Sequence, residues 1–542
     1  MAQTASTRPR SPMRGRRAEI RLALFSGAIA SAVLIAFWGI AWIWLGTPLA
    51  FFRPADDAYY YLDVAARFVH GQGMSTDGMH TTNGYHPLWM LILLPFAALF
   101  DAPSQSFVVS AQLLSFLAFG AAVAGMVATA RRAGLTAFAA LTGALFLFLA
   151  PWRGIVGAVV EGGVALALLA WMAFAAQRLR DRITRTHALA SAGLGLGALA
   201  GLAVLARLDN VWLVGVVCLA AAWWVLRSTN LDAGSRRRVV AAILGLPAVL
   251  LGSYVALNLG RFGHALPISG EIKTTFPMPR LSLGHLQDSL RGFGSYYILV
   301  PIAWLGVLGA RARRMPAASL LLVLTLGATV QAAYLLLFAR GIFWWHFVSL
   351  LPAGLLAISV LVDLAFALSS SRRVQATTGI ALSFITALAI VAPLPVSLLR
   401  RSPDGNRVAV SGWRIEAERA AEWTTTHLSS GVVLAMRDSG AFGYYARQPV
   451  MNLDGVISNY DYQDALCAGG LIDELRQSKV QYVAYHAVKQ LDYEDWEVPI
   501  PCSRDNGMTT SLRFQRSDEV YRSRPYWHGQ TVVFVIWQLK LA

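Results

Sequence analysis

The chain has 542 residues, of which 56% are hydrophobic and only 14% charged, with 46 Lys and Arg against 30 Asp and Glu for a formal charge of +16. That balance excludes an ordinary soluble domain. It does not point to nucleic acid either, because the basic residues fall in short clusters beside apolar runs, where Lys and Arg mark cytoplasmic loops.

Apolar runs able to cross a hydrocarbon core of about 30 Å recur along the first 400 residues. Eleven are predicted, at 22–46, 106–130, 135–151, 158–177, 187–206, 210–226, 239–259, 297–310, 316–338, 346–368 and 378–398, the eighth being the shortest. The first is too long and too rich in Trp for a cleavable signal peptide and is read as a retained anchor. Arg8, Arg10, Arg14, Arg16 and Arg17 precede it, and further clusters stand at Arg131–Arg132, Arg178 to Arg185, Arg236 to Arg238, Arg311 to Arg314 and Arg372–Arg373. If residue 1 is cytoplasmic, every cluster falls on the cytoplasmic side. The expected organisation is a basic cytoplasmic tail (1–21), a transmembrane domain (22–399) with a first outer loop at 47–105, and an extracytoplasmic domain (400–542). Residues 152–157, 207–209, 260–296 and 339–345 share the outer face.

The first outer loop is far longer than the connections of a compact bundle. It opens with the adjacent carboxylates Asp56 and Asp57 and continues as a helix to about residue 70, with Tyr60, Tyr61, Val64 and Phe68 at three- and four-residue steps and Gly71-Gln72-Gly73 as a stop. Asn83-Gly84 marks a turn. Residues 87–100 are apolar but too few to cross, which predicts an interfacial or re-entrant helix. One of the two acids is accounted for as a helix N-cap or a first-turn carboxylate. A second cap is redundant, and three tyrosines follow.

The strings DDAYYYL (56–62), GQG (71–73) and TDGMHTTNGYHPLW (76–89) resemble the first outer loop of a bacterial branch of the GT-C superfamily, membrane glycosyltransferases related to protein O-mannosyltransferases and arabinofuranosyltransferases. RLDN (207–210), PISGEIK (267–273) and DSGAFGYYARQPVMNLDG (438–455) resemble the same branch, so the likeness covers most of the chain. It implies an α-helical polytopic membrane protein of the bacterial plasma membrane. The implied activity is an inverting transfer of a sugar from a polyprenyl-phosphate carrier to a cell-wall glycan, lipid or protein acceptor on the outer face, with membrane lipids as surroundings and no nucleic acid. A carboxylate at the start of the first outer loop is then the expected general base. Asp57 is the first choice and Asp56 the second.

A lipid phosphate leaving group needs cations or donors where charge develops. Arg207, Lys273, Arg340 and His346 are the candidates; Lys273 stands out in a chain with four lysines, beside Glu271. Snorkelling at the interface accounts equally well for Arg207 and Arg340. Tyr60, Tyr85 and His86 are candidate sugar or phosphate contacts, Glu161 is a carboxylate that must face the bundle or water, and Asp209 is placed to pair with Arg207. No His, Cys, Asp and Glu set has metal-ligand spacing. A divalent cation on Asp56 and Asp57 stays compatible, because hard cations need only one or two carboxylates.

Beyond residue 400 the chain alternates a helix (414–428), a strand (432–436), a helix (462–477) and strands (480–485, 531–537), predicting a small α/β domain. Asp438 and Asp454 border strands and are open to acceptor-binding or turn roles. Cys467 and Cys502 are candidates for a disulfide in an exported domain, while Cys218 sits in a span. The alternative to glycosyl transfer is a transporter or lipid flippase, or a membrane scaffold with an outer binding domain. The scarcity of charge inside the spans argues against transport, and a scaffold leaves the motif-rich insert unexplained.

Overall fold

The computed structural model describes residues 12–46, 54–101, 103–149, 155, 157–183, 189–368, 412–488, 495–502, 509–527 and 531–540. The eleventh predicted span, Arg372–Arg373, Arg8 and Arg10 lie outside them. Among the described residues, eight helices are long and apolar enough to cross a membrane: Arg17–Trp44, Gln105–Arg132, Gly162–Ile183, Leu189–Ala206, Leu208–Leu226, Ala233–Phe262, Ala318–Phe338 and Trp344–Ala367. The eighth predicted span is the second half of a pair, Leu283–Tyr297 and Leu299–Ala312, bent by 45°. The third is a short apolar helix, Ala137–Leu145, continued by a 3-10 turn to Phe148.

The spans pack through small residues. The first helix, α1 (Pro12–Leu45), lies on Gln105–Arg132. A Cβ added to Gly120 would come within 2.5 Å of the Gly27 carbonyl, and Ser31 Oγ donates to the Phe116 carbonyl at 3.0 Å. Close backbone approach of this kind, with a hydroxyl satisfied across the interface, is how helices associate where water gives no hydrophobic drive.

The long insert is a folded layer. Helix α2 (Asp56–Val69) buries ten of its fourteen residues, from Asp56 to Ala66, between α3 (Pro87–Phe100) and the C-terminal domain. At about 21 Å, α3 is too short to cross, as its length predicts.

The C-terminal domain is α/β. A central sheet has the order β2 (Val450–Asn452), β1 (Val433–Met436), β3 (Val480–Val488), β8 (Thr531–Gln538), β6 (Glu519–Arg522), and the short β7 (Tyr526–Trp527) also pairs with β8. The first three strands are parallel and β8 is antiparallel to β3. A separate hairpin, β4 (Asp495–Pro501) with β5 (Thr509–Gln515), adds Val498, Ile500, Leu512 and Phe514 to the core around Trp537. Cys467 and Cys502 form a disulfide with Cα atoms 4.9 Å apart, tying this hairpin to the helix Tyr460–Cys467. The helix predicted at 462–477 is two, Tyr460–Cys467 and Leu471–Gln477, because Gly469 takes a φ of 85° that a helix cannot accommodate.

Candidate functional site

The two acids that open α2 do different work. The N-cap position is Ala55, whose N–H goes to the Ala158 carbonyl at 2.9 Å, so neither Asp56 nor Asp57 is the cap. Both Asp56 oxygens accept backbone N–H groups of the C-terminal domain, from Gly440 and Ala441 at 2.8 Å each. Those amides begin the helix Gly440–Tyr445, and a Cβ on Gly440 would collide with the Asp56 carbonyl. Burial pushes the Asp56 carboxyl well above the usual range, with the Ala441 and Gly440 amides pulling against it. Asp56 is therefore a clamp between insert and domain. Asp56→Asn, which places an amide against two N–H donors, is expected to cost about 1–3 kcal/mol. Thermal unfolding of the purified protein checks this, and an unchanged transition would remove the clamp role.

Asp57 faces a cavity of about 380 Å³. Its Oδ2 lies 3.8 Å from Lys273 Nζ. Their side chains are 34% and 26% exposed, so the pair can be reached by a ligand. Lys273 ends the short helix Ile268–Lys273, which is fixed from two sides. Asn83 accepts from Ile268 N–H at 3.0 Å and donates to Asn258 Oδ1 at 2.9 Å, while the Lys273 carbonyl accepts from Arg340 N–H at 2.9 Å. Gly84 is required for close approach rather than for a special φ, since a Cβ there would lie 2.4 Å from the Val456 carbonyl.

A buried charge network forms the next wall. Glu161 accepts from Arg207 Nη1 at 2.6 Å and from the Tyr61 hydroxyl at 2.9 Å; Arg207 Nε lies 2.8 Å from Asp209. Tyr61 in turn accepts from His86 N–H at 3.1 Å. The Arg207 guanidinium is thus held by two carboxylates, and snorkelling does not describe it. His86 Nδ1 accepts from Leu208 N–H at 3.3 Å. Burial, reinforced by the Arg207 charge, pushes this imidazole down to about 3, which makes it a neutral hydrogen-bonding group.

Of the residues singled out from sequence, Asp57, Tyr60, Tyr85, His86, Glu161, Arg207, Asp209, Lys273 and His346 line this one cavity. Asp56, Glu271 and Arg340 do not. Glu271 Oε2 instead lies 3.4 Å from His264, outside the cavity. The lining also includes an aromatic cluster, with Trp212 5.4 Å from the Tyr334 ring and 5.6 Å from Phe276.

Sequence reading missed the aromatic wall, whose residues look like span ends. It also missed Arg414, which packs over Trp413 at 4.7 Å and whose charge acts on Asp56 and Asp57. Asn452, which donates to the Tyr60 hydroxyl at 3.1 Å, lies in a strand too short to read. The arrangement offers a reachable carboxylate, an ammonium and an apolar trough, which suits removal of a proton beside a departing anion carried by a lipid. It does not suit a divalent cation on the Asp56 and Asp57 pair: Asp56 is consumed by backbone amides, and Asp57 faces an ammonium.

Residues 407–527 match a family model described as a domain of unknown function, DUF8728. No curated protein matches the sequence. Among solved structures, ArnT from Cupriavidus metallidurans in the apo state superposes with a TM-score of 0.51 at 16% identity, covering 94% of this chain and 97% of that one. The same protein bound to undecaprenyl phosphate gives 0.50 at 14%, with the same coverage. The apo oligosaccharyltransferase of Archaeoglobus fulgidus gives 0.49 at 11%, covering 87% and 69%. The chain shares the fold of the ArnT structures over almost its whole length, with the small sheet domain at its C-terminal end.

Proposed function

We propose that this multi-pass protein is an inverting glycosyltransferase that moves a sugar from a polyprenyl-phosphate carrier to a hydroxyl of a cell-envelope acceptor at the outer face of the bacterial plasma membrane. The observation that carries this is the pairing of Asp57 with Lys273 in a cavity whose wall combines the Glu161–Arg207–Asp209 network with apolar and aromatic side chains. An isoprenoid fits the trough and a phosphate fits the ammonium. In the reaction the acceptor oxygen bonds to the anomeric carbon as the bond from that carbon to the phosphate oxygen breaks. Asp57 takes the hydroxyl proton, and the charge gathering on the phosphate is met by Lys273. The GT-C fold neighbour recorded with undecaprenyl phosphate supports a ligand of this kind.

Orientation follows from charge. Segments that the alternation of basic clusters assigns to the outer face contribute to the cavity, namely the first insert, 207–209, 260–296, 339–345 and the C-terminal domain, together with Glu161 and other residues of the predicted spans. A nucleotide sugar is not the donor on that side, whereas a lipid-linked sugar is.

The test is a panel of radiolabelled polyprenyl-phosphate sugars incubated with purified protein and cell-envelope acceptors. Transfer of label with release of polyprenyl phosphate is expected, and inertness toward the whole panel would sink the reading. Lys273→Gln is expected to weaken donor binding about 10- to 100-fold, the worth of a partly solvated hydrogen bond to a charged group. An unchanged donor affinity would return Lys273 to a structural partner of Asp57. Chelation of divalent ions is expected to leave transfer intact, and abolition by a chelator with rescue by one metal would overturn the metal-free mechanism.

A further inference from the structure

A second cavity, of about 500 Å³, lies where the TDGMH turn of the insert meets the C-terminal domain. That is within the range of about 300–1,000 Å³ used by small-molecule sites. Its walls are polar. Asp77 is buried and binds His80 Nδ1 at 2.7 Å while accepting from the Met79 and His80 amides, so the turn exists to present His80 at the cavity edge. The Asp77 carboxylate holds His80 above the ordinary imidazole range, which favours a proton on Nε2 as well. Asn459 uses Oδ1 to cap its helix at Tyr462 N–H, 2.8 Å, and keeps Nδ2 as a donor. Asp461 and Glu474 supply acceptors, Lys479 and Gln481 further donors.

Charge on this wall is mixed in sign: Asp461 and Glu474 stand with Lys479 and with His80, which is paired to Asp77. Phosphate is disfavoured by the acids and a cation by the bases. An apolar ligand would cover the charged side chains of Asp461, Glu474 and Lys479 without giving them partners. What remains matched is a neutral ligand with many hydroxyls, which needs donors and acceptors interleaved.

The position adds a second argument. Segments 80–86 and 456–462 lie against each other: Thr82 Oγ1 donates to the Ser458 carbonyl at 2.9 Å and Gly84 abuts Val456. At one end His80, Asn459 and Asp461 line the polar cleft; at the other Tyr85, His86, Val456 and Ile457 line the cavity of Asp57. Residues 80 to 86 span no more than about 20 Å. We infer that the cleft is an acceptor-chain subsite, holding the inner sugars of a neutral oligosaccharide whose terminal hydroxyl reaches Asp57. The inference rests on reading the Asp57 cavity as the transfer site.

The experiment uses the purified full chain and a panel of short neutral linear oligosaccharides, with binding followed by calorimetry and saturation-transfer NMR. At least one is expected to bind, and the Glu474→Ala, Gln481→Ala double variant is expected to weaken it tenfold or more while polyprenyl-phosphate binding stays unchanged. In transfer assays the same variant should raise KM for the long acceptor and leave kcat and the KM of a single-sugar acceptor unaltered. No binding of any oligosaccharide up to roughly 10 mM, or binding that the double variant does not alter, overturns the subsite. Oligosaccharide binding without transfer from any donor would keep the subsite and sink the transfer reading, so the two fail separately.

Discussion

Asp57→Asn is expected to lower sugar transfer by about 10²- to 10⁴-fold, the range lost when a positioned general base is removed. The amide keeps the shape of the side chain, and the helix start does not depend on it, since Ala55 is the N-cap and the domain contacts belong to Asp56. Folding and donor binding should therefore survive. Comparing donor affinity with single-turnover transfer separates the outcomes. Near-full transfer by the variant in a preparation where the parent is active would dismiss Asp57 as base and leave Glu161 and Asp209 as the other carboxylates that line the cavity.

Arg207→Met is expected to be the most damaging change to stability. Arg207 and Glu161 are 3% and 4% exposed at the side chain and 2.6 Å apart, with Asp209 on the other edge of the guanidinium. Removing the cation leaves two carboxylates, one of them almost fully buried, without their counter-charge. Breaking a buried pair in this way costs about 3–5 kcal/mol. The measurement is the thermal inactivation of detergent-purified protein, with the folded fraction followed by size exclusion. Adding Glu161→Gln to Arg207→Met should recover part of the loss, because it takes away one of the stranded charges. A single variant as stable as the parent would mean that water reaches the network.

Both effects concern residues whose types were legible and whose partners were not. The TNGYH string and Lys273 were recognisable as unusual, yet nothing local says that Asn83 grips Ile268, 185 residues away, and so aims Lys273. Likewise Asp209 was readable as a partner for Arg207 two positions before it, whereas Glu161, at the mouth of another helix, was not. Interactions within a turn leave a mark in sequence spacing; those between elements do not.

The sequence by itself determined the membrane class, the short non-crossing helix at 87–100 and the α/β character of the C-terminal region. These follow from apolar run length and from the 3.6- and 2-residue periods, which are properties of neighbours along the chain. Only the tertiary structure decided between the adjacent acids. Asp56 and Asp57 are alike in type and one position apart, but successive helical residues point about 100° apart. One therefore meets the amides of Gly440 and Ala441, some 385 residues further on, and the other meets Lys273 across the cavity.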